Sequence, residues 1–334
     1  MIGSDGGGAT TDRLVTENST LVTTVLATDP NVGTTLTYAI SGGADAANFQ
    51  INAVTGALSF IAAPDFEAPT DAGANNTYEV IVSANVGSVS DTQTILVTVT
   101  NDNDAPLITS DGGGDTGSVG VAENSTAVTT VTSSDADAGS TKAFSLVGGD
   151  DAGKFAIDAT TGALAFLSAP DFEAAGDAGA DNVYNVIVQV SDGALVDTQA
   201  IAVTVTNLND NAPVITSNGG GATAAISLAE NIAAVTTITS SDADAGSGVV
   251  YAIAGGADAA RFAIDAATGA LSFLAAANFE SPTDAGTNNV YDVIVRASDG
   301  TLFGEQAIAI TVTDEAETIT GTAAVNTLTG TNGD

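Results

Sequence analysis

The stretch Ile95-Leu96-Val97-Thr98-Val99-Thr100-Asn101-Asp102-Asn103-Asp104-Ala105-Pro106 joins two opposite kinds of sequence at one point. Its first half alternates apolar residues with threonine, the period-2 pattern of a strand with one buried and one wet face. Its second half puts a side-chain oxygen on every position from Asn101 to Asp104 and then meets a proline. The same text returns as Ile201-Ala202-Val203-Thr204-Val205-Thr206-Asn207-Leu208-Asn209-Asp210-Asn211-Ala212-Pro213, and partly as Ile308-Ala309-Ile310-Thr311-Val312-Thr313-Asp314-Glu315-Ala316. Other anchors keep step with it: Ile2, Ile108 and Ile215; Glu17, Glu123 and Glu230; Tyr78, Tyr184 and Tyr291, at intervals of 106 and then 107 residues. A period this long is one small domain per repeat. The predicted domains are 2–107, 108–214 and 215–316, followed by a short Gly/Thr-rich stretch, 317–334.

Within a repeat the apolar runs are short, rich in Val, Ile and Thr, and fenced by Gly, Asp, Asn and Ser. Val22–Leu26, Leu58–Ile61 and Tyr78–Val82 read as strands beside Ile95–Thr100. About seven such strands per hundred residues match an immunoglobulin-like sandwich, so the fold class is all-β, three sandwiches in tandem. Helical signal is confined to stretches such as Gly43–Phe49, read as a single turn that tucks Phe49 into the core. Gly6-Gly7-Gly8 and its counterparts lack the lysine and following helix of a phosphate loop and read as bends near a strand's start.

Composition excludes several function classes. Against 41 acidic residues stand 5 basic ones, a formal charge of -36, which makes nucleic acid and anionic lipid poor partners. Hydrophobic residues at 44 % suffice for a core in each repeat, although aromatics are only 5 % and Trp is absent. Without Cys or His there is no disulfide, thiolate nucleophile or Cys/His zinc site. No apolar run is long enough to span a bilayer as a helix, so membrane insertion is not expected. Met1 is the only methionine and Ile2 falls where the repeat begins, so the chain is expected to be a piece excised from something longer.

The linkers 101–106 and 207–213 concentrate oxygen as a hard cation requires, since calcium takes about six to eight oxygen ligands from carboxylates, amides, carbonyls and water. Taken alone, such a segment also reads as a solvated Asn/Asp turn. It recurs in register with four other motifs: Ala122-Glu123-Asn124, Asp171-Phe172-Glu173, Ser241-Asp242-Ala243-Asp244 and Ala297-Ser298-Asp299-Gly300. Together with Asn207-x-Asn209-Asp210-Asn211-Ala212-Pro213 these resemble the cadherin calcium-binding motifs, in the family's order and at about its spacing, over roughly residues 2 to 315. The insertion Thr70-Asp71-Ala72-Gly73-Ala74-Asn75-Asn76 is similar to one found in cadherin-like repeats of large bacterial surface proteins.

The resemblance implies calcium ions, two to three at each interdomain junction. At the first junction it implies Glu17, Asp65, Glu67, Asn101, Asn103, Asp104, Asp135, Asp137 and Asp192 as ligands. At the second it implies Glu123, Asp171, Glu173, Asn207, Asn209, Asp210, Asn211, Asp242, Asp244 and Asp299. Each set carries seven carboxylates, whose mutual repulsion a pair or trio of divalent ions would nearly neutralise. The pattern departs from the family's in places. The first linker is one residue shorter and lacks the Asn that Asn211 supplies. Asn101 and Asn207 stand where the family usually has Asp. Asn278 replaces the Asp of the Asp-Phe-Glu motif, and Asp314-Glu315-Ala316 brings no Asn-Asp linker, so the array is expected to end there.

Gly321-Thr-Ala-Ala-Val-Asn326 and Gly330-Thr-Asn-Gly-Asp334 step by nine residues and resemble the entry into the calcium-binding nonapeptide repeats of RTX proteins, exported by type I secretion. The expectation is therefore a calcium-stiffened spacer or adhesion segment of a bacterial surface protein, extracellular, its partners being calcium and neighbouring repeats. The alternative is a module that recognises carbohydrate or a like domain through a sandwich face. Catalysis is not expected. The Asp-Phe-Glu acids could in form be a glycosidase pair, but a pair repeated beside other acids that keep it ionised suits a cation better. The Asp71-x-Gly73-x-Asn75-Asn76 loop reads as a set of Asx turns rather than as a further calcium loop.

Overall fold

The computed structural model describes residues 1–316 other than 32, 34, 245 and 247. The 317–334 stretch with its nonapeptide resemblance lies outside the described residues. The described residues form two compact units: Met1–Val119 with Thr126–Ser168 and Tyr184–Val203, and Gly120–Ser125 with Ala169–Val183 and 204–316. The division runs through the second repeat. Each linker, with the residues assigned to its junction, therefore falls inside one unit.

In the first unit the first repeat is a two-layer β-sandwich. Its strands are β1 (Thr10–Thr16), β2 (Leu21–Thr24), β3 (Thr37–Gly42), β4 (Phe49–Ile51), β5 (Ala57–Phe60), β6 (Thr77–Val86) and β7 (Val89–Thr100). One sheet runs β1-β7-β6-β3 and the other β2-β5-β4. The alternation read in the sequence becomes the two faces of the layer. Tyr78, Val80 and Val82 on β6 and Ile95, Val97 and Val99 on β7 are buried, and the residues between them are half-buried. The turn Ala46–Asn48 delivers Phe49 into the core, where its ring stacks on Phe60 at 4.5 Å and Phe60 meets Tyr78 edge-on at 5.2 Å. Offset and edge-to-face pairs of this kind add to their burial energy, and they anchor a core that has no tryptophan. Gly7 adopts left-handed φ at the end of the short turn Ser4–Gly6, the bend expected of the glycine run. The same triad of Phe155, Phe166 and Tyr184 in this unit shows the second repeat following the same plan.

In the second unit the third repeat repeats both sheets. Thr223–Ala229, Phe303–Thr313, Val290–Ser298 and Val250–Gly255 form the four-stranded one, and Ala234–Thr237, Ala270–Phe273 and Phe262–Ile264 the three-stranded one. The tandem β-sandwich expected from the sequence is thus the observed fold.

Two features of register position the linkers. The edge strand β1 runs parallel to β7 and both finish at the same level, Thr16 opposite Thr100, so the two chains leave the sheet side by side. Beyond each linker, a two-residue strand locks the chain to the repeat that follows: Leu107–Ile108 pairs with Ser133–Ser134, and Val214–Ile215 with Ser240–Ser241. At the second linker the approach is tight. A Cβ on Gly304 would lie 2.2 Å from the carbonyl oxygen of Pro213, so only glycine admits the linker there.

Candidate metal centre

Because β1 and β7 end together, Glu17 emerges directly beside Asn101, and its N–H donates to the carbonyl of Thr100 at 3.1 Å. The chain then turns through Asn18 in left-handed conformation, φ 62°, a geometry that asparagine tolerates better than most residues. Glu17 is buried. One of its carboxylate oxygens accepts the N–H of Phe66 at 2.8 Å and the other the N–H of Asp102 at 2.9 Å. A single side chain thus clamps the Asp65-Phe66-Glu67 loop and the linker together. Glu123 does the same in the second unit, with Phe172 at 2.9 Å and Leu208 at 2.7 Å.

Around each clamp the carboxylates converge. Oxygens of Glu17, Glu67 and Asp104 lie within 4.8 Å of one another, as do those of Glu123, Glu173 and Asp210. The sets extend into the following repeat. The N–H of Asp104 donates to Asp137 at 2.7 Å and the amide of Asn101 donates to the same carboxylate at 2.8 Å. Asn103 donates to Asp192 at 2.6 Å. In the second unit the N–H of Asn211 donates to Asp244 at 2.8 Å, and its amide reaches Glu173 at 3.3 Å. With its amide nitrogen turned toward the acids, Asn209 donates to Asp299 at 2.9 Å and Asp244 at 3.0 Å. Asn124, which follows the clamp residue, donates to Asp210.

Asp65 and Asp171 stand further out. Each is exposed and caps its own loop, accepting the N–H of Ala68 and Ala174 respectively at 2.9 Å, and among the described residues neither joins a cluster of three acids. Asn278, the substitution in the third repeat, caps its loop in the same way through the N–H of Ser281 at 2.7 Å.

The electrostatics follow from this crowding. Burial and then the charge of Glu17 push the Glu67 carboxyl up. Burial, then Glu17 and Asp137, do the same to Asp104. Burial, and after it the charges of Glu123, Asp244 and Asp171, raise Glu173. Asp192 is held below its usual range, chiefly by the N–H of Ala194, and Asp299 by the N–H groups of Leu302 and Thr301, which outweigh its burial.

The donor set fits a hard divalent cation. Oδ2 of Asp135, Oδ2 of Asp242 and Oε1 of Glu173 are buried with no hydrogen-bond partner among the described residues, although each sits in a predicted ligand set. Buried carboxylate lone pairs that no proton uses are costly unless a cation takes them. The asparagines fit too, because an amide that donates nitrogen protons to a carboxylate presents oxygen to a cation when it reverses.

A third set was not assigned from the sequence: oxygens of Glu230, Glu280 and Asp314 also lie within 4.8 Å. Glu230 makes the same clamp, to the N–H of Phe279 at 3.0 Å and of Glu315 at 3.2 Å. The 106/107 period contained this signal, since Glu230, Glu280 and Asp314 fall in step with Glu123, Glu173 and Asn207. The absence of an Asn-Asp linker hid it.

Backbone protons close the Asp71 loop. One oxygen of Asp71 accepts N–H groups of Asn76 and Asn75 at 2.9 and 3.2 Å, and the other those of Gly73 and Asn75 at 3.0 Å each. Asp177 and Asp284 hold their loops likewise. Asp45, Asp151 and Asp258 form a second buried series. Asp45 accepts the N–H of Ala72 at 2.6 Å and of Glu79 at 2.8 Å.

No protein-family model matches the chain. Among curated proteins it is 33 % identical over 200 residues to human protocadherin Fat 4, covering 58 % of this chain and 4 % of that protein. To human protocadherin Fat 1 it is 28 % identical over 300 residues, covering 85 % and 6 %. The chain thus spans only a small part of these relatives' length. Among solved structures, mouse cadherin-23 EC22-24 is similar at 22 % identity and TM-score 0.58, with 92 % of this chain and 97 % of that chain covered. The protocadherin gammaB4 extracellular domain is similar at 22 % identity and TM-score 0.59, with 92 % and 49 % covered. In fold, the chain is a tandem of cadherin-like repeat domains.

Proposed function

We propose that each acidic junction binds two to three calcium ions and that calcium fixes successive repeats in one orientation, making this chain a rigid spacer or adhesion segment of an extracellular protein. The observation that supports this most is the pairing of three convergent carboxylates with buried carboxylate oxygens that lack a proton donor among the described residues, in both units. At an effective dielectric near 20, two charges about 5 Å apart repel by about 3 kcal/mol before screening. A set of seven carboxylates is therefore a joint that prefers to open unless cations hold it. Ligands from the upstream repeat, the linker and the downstream repeat would all have to meet on the same ions.

The relatives are protocadherins and the similar structures are cadherin ectodomains, which favours an adhesive, extracellular role and gives no support to catalysis. The finer reading, an exported bacterial surface protein, rests on the Thr70–Asn76 insertion and on the nonapeptide resemblance of 321–334. The test is small-angle X-ray scattering of the chain in calcium and in excess chelator. A particle whose maximum dimension and stiffness fall on chelation is expected. An unchanged profile would overturn the proposal and leave the acids as solvated surface.

A further inference from the structure

The first and third repeats carry the same cavity, in the notch between the three-stranded sheet and the loop that follows its last strand. In the first repeat it is about 250 Å³, lined by Asn48, Ile61, Asp65, Ala68, Thr70 and Tyr78 among others. In the third it is about 480 Å³, with Arg261, Leu274, Asn278, Ser281, Thr283 and Tyr291 at the corresponding places. The enlarged one falls in the size range of small-ligand sites.

Two substitutions distinguish them. In the first repeat the amide of Asn48 crosses the notch and donates to the carbonyl of Thr70 at 3.4 Å. The third repeat has Arg261 there, exposed and in no ion pair among the described residues, although acids outnumber bases 41 to 5 in the chain. Opposite it, the acid Asp65 has become Asn278, whose oxygen is engaged by the N–H of Ser281, leaving its amide protons for other acceptors. Relative to the first repeat, Asn to Arg adds one positive charge and Asp to Asn removes one negative charge, a change of +2 in one notch of a chain whose net charge is -36. Asp171 stands opposite in sequence in the second repeat, whose basic residue is Lys154, so only the third combines arginine with a neutral partner.

We infer that this notch in the third repeat binds a sugar bearing a carboxylate, of the uronic acid class. A carboxylate would take the planar fork of Arg261, which pairs such groups in two parallel bonds. Ring hydroxyls would meet Ser281, the amide of Asn278 and the hydroxyl of Thr283, which the buried Tyr291 hydroxyl backs at 3.3 Å. The exposed side chains of Leu274, Ala275 and Ala276 offer the apolar wall against which a sugar's C–H face packs. The site borders the third acid set, since Asn278 lies two residues before Glu280, and free calcium is therefore held fixed in its test.

The test is a ¹H–¹⁵N NMR titration of the chain, at fixed free calcium, with methyl β-D-glucuronide and with methyl β-D-glucoside, which differ only in the carboxylate. Saturable shifts of Arg261, Asn278, Ser281 and Thr283 with the glucuronide are expected, with none at Asn48 and Thr70 in the first repeat. Arg261→Asn and Asn278→Asp, which install the first repeat's residues at exposed positions, are each expected to weaken binding about tenfold or more. No saturable shift, equal shifts with the neutral glucoside, or unchanged binding by both variants would overturn the assignment.

Discussion

The backbone N–H of Asp104 donates to Oδ2 of Asp137 at 2.7 Å, and this is the bond that Asn211 makes to Asp244 at 2.8 Å. Measured from the downstream repeat, Asp104 therefore occupies the place of Asn211. Measured from the upstream repeat, its carboxylate occupies the place of Asp210, within 4.8 Å of the two glutamates. The residue missing from the shorter linker is thus lost before Asp104, not after it as the sequence suggested, and one aspartate fills two roles that the second linker divides.

Asp104→Ala keeps the N–H bond to Asp137 but removes the single side chain that stands where Asp210 and Asn211 together place two, so it is expected to cost more calcium than either Asp210→Ala or Asn211→Ala. Isothermal titration should show at least one ion fewer at the first junction in Asp104→Ala, and a weakening of about tenfold without loss of stoichiometry in the other two. Equal effects in all three would mean that the two linkers coordinate alike.

The clamp glutamates should matter for folding as well as for calcium. Glu123→Ala leaves the N–H groups of Phe172 and Leu208 without their acceptor, and stranded donors cost about 1 to 3 kcal/mol each. In calcium the expected loss is about 2 to 6 kcal/mol in the unfolding transition of the affected repeats, read by urea denaturation. In chelator the loss should shrink, because removing one charge from the Glu123, Glu173 and Asp210 cluster relieves repulsion. A loss that is the same in both solutions would show that the acid cluster is not strained without cations.

Much of this is legible in the sequence alone. Period-2 strands such as Ile95–Thr100 and the recurrence of Glu17, Glu123 and Glu230 led to the sandwich and to the junction acids, because both signals are local or periodic. Side-chain connectivity was not legible. That Glu17 bonds both Phe66 and Asp102 depends on β1 and β7 ending side by side, a parallel pairing between segments far apart in sequence. Asp45 read as part of a turn, and its ties to Ala72 and Glu79 appear only once the strands are packed. The Glu230, Glu280 and Asp314 set is visible in the period but not in the motif, because Asp314 opens no Asn-Asp linker.

Opposite pH responses should separate the apo and calcium-loaded junctions. Glu67, Asp104 and Glu173 have folded-state values above their ordinary ones, so the folded protein takes up their protons before the unfolded chain does. In chelator, thermal stability should rise as pH falls toward the ordinary carboxylate range, about pH 4, as protonation relieves the repulsion. In calcium, protons compete with the ion for the same oxygens, and stability should fall over that interval. Differential scanning calorimetry at several pH values distinguishes the two cases, and parallel curves would exclude coupling between these acids and calcium.

The Asp284 loop supplies a contrasting case in which an acid is structural. Its carboxylate is pushed up by burial but pulled down further by the N–H groups of Asn288, Asn289 and Gly286, so its folded value lies below the ordinary one. The stability it contributes is present above its unfolded value, near pH ~4, and is lost as pH falls through the lower folded value. Asp284→Asn replaces an acceptor-only group by an amide whose nitrogen must face some of those same N–H groups, so about 1 to 3 kcal/mol of the third repeat's stability should be lost. Calcium stoichiometry and affinity should not change, because both carboxylate oxygens are already filled by backbone protons at 2.9 and 3.1 Å. If Asp284→Asn instead removed an ion and left stability in calcium-free solution untouched, the loop would be a metal ligand and the division drawn here, between acids that hold backbone and acids that hold calcium, would fail at this position.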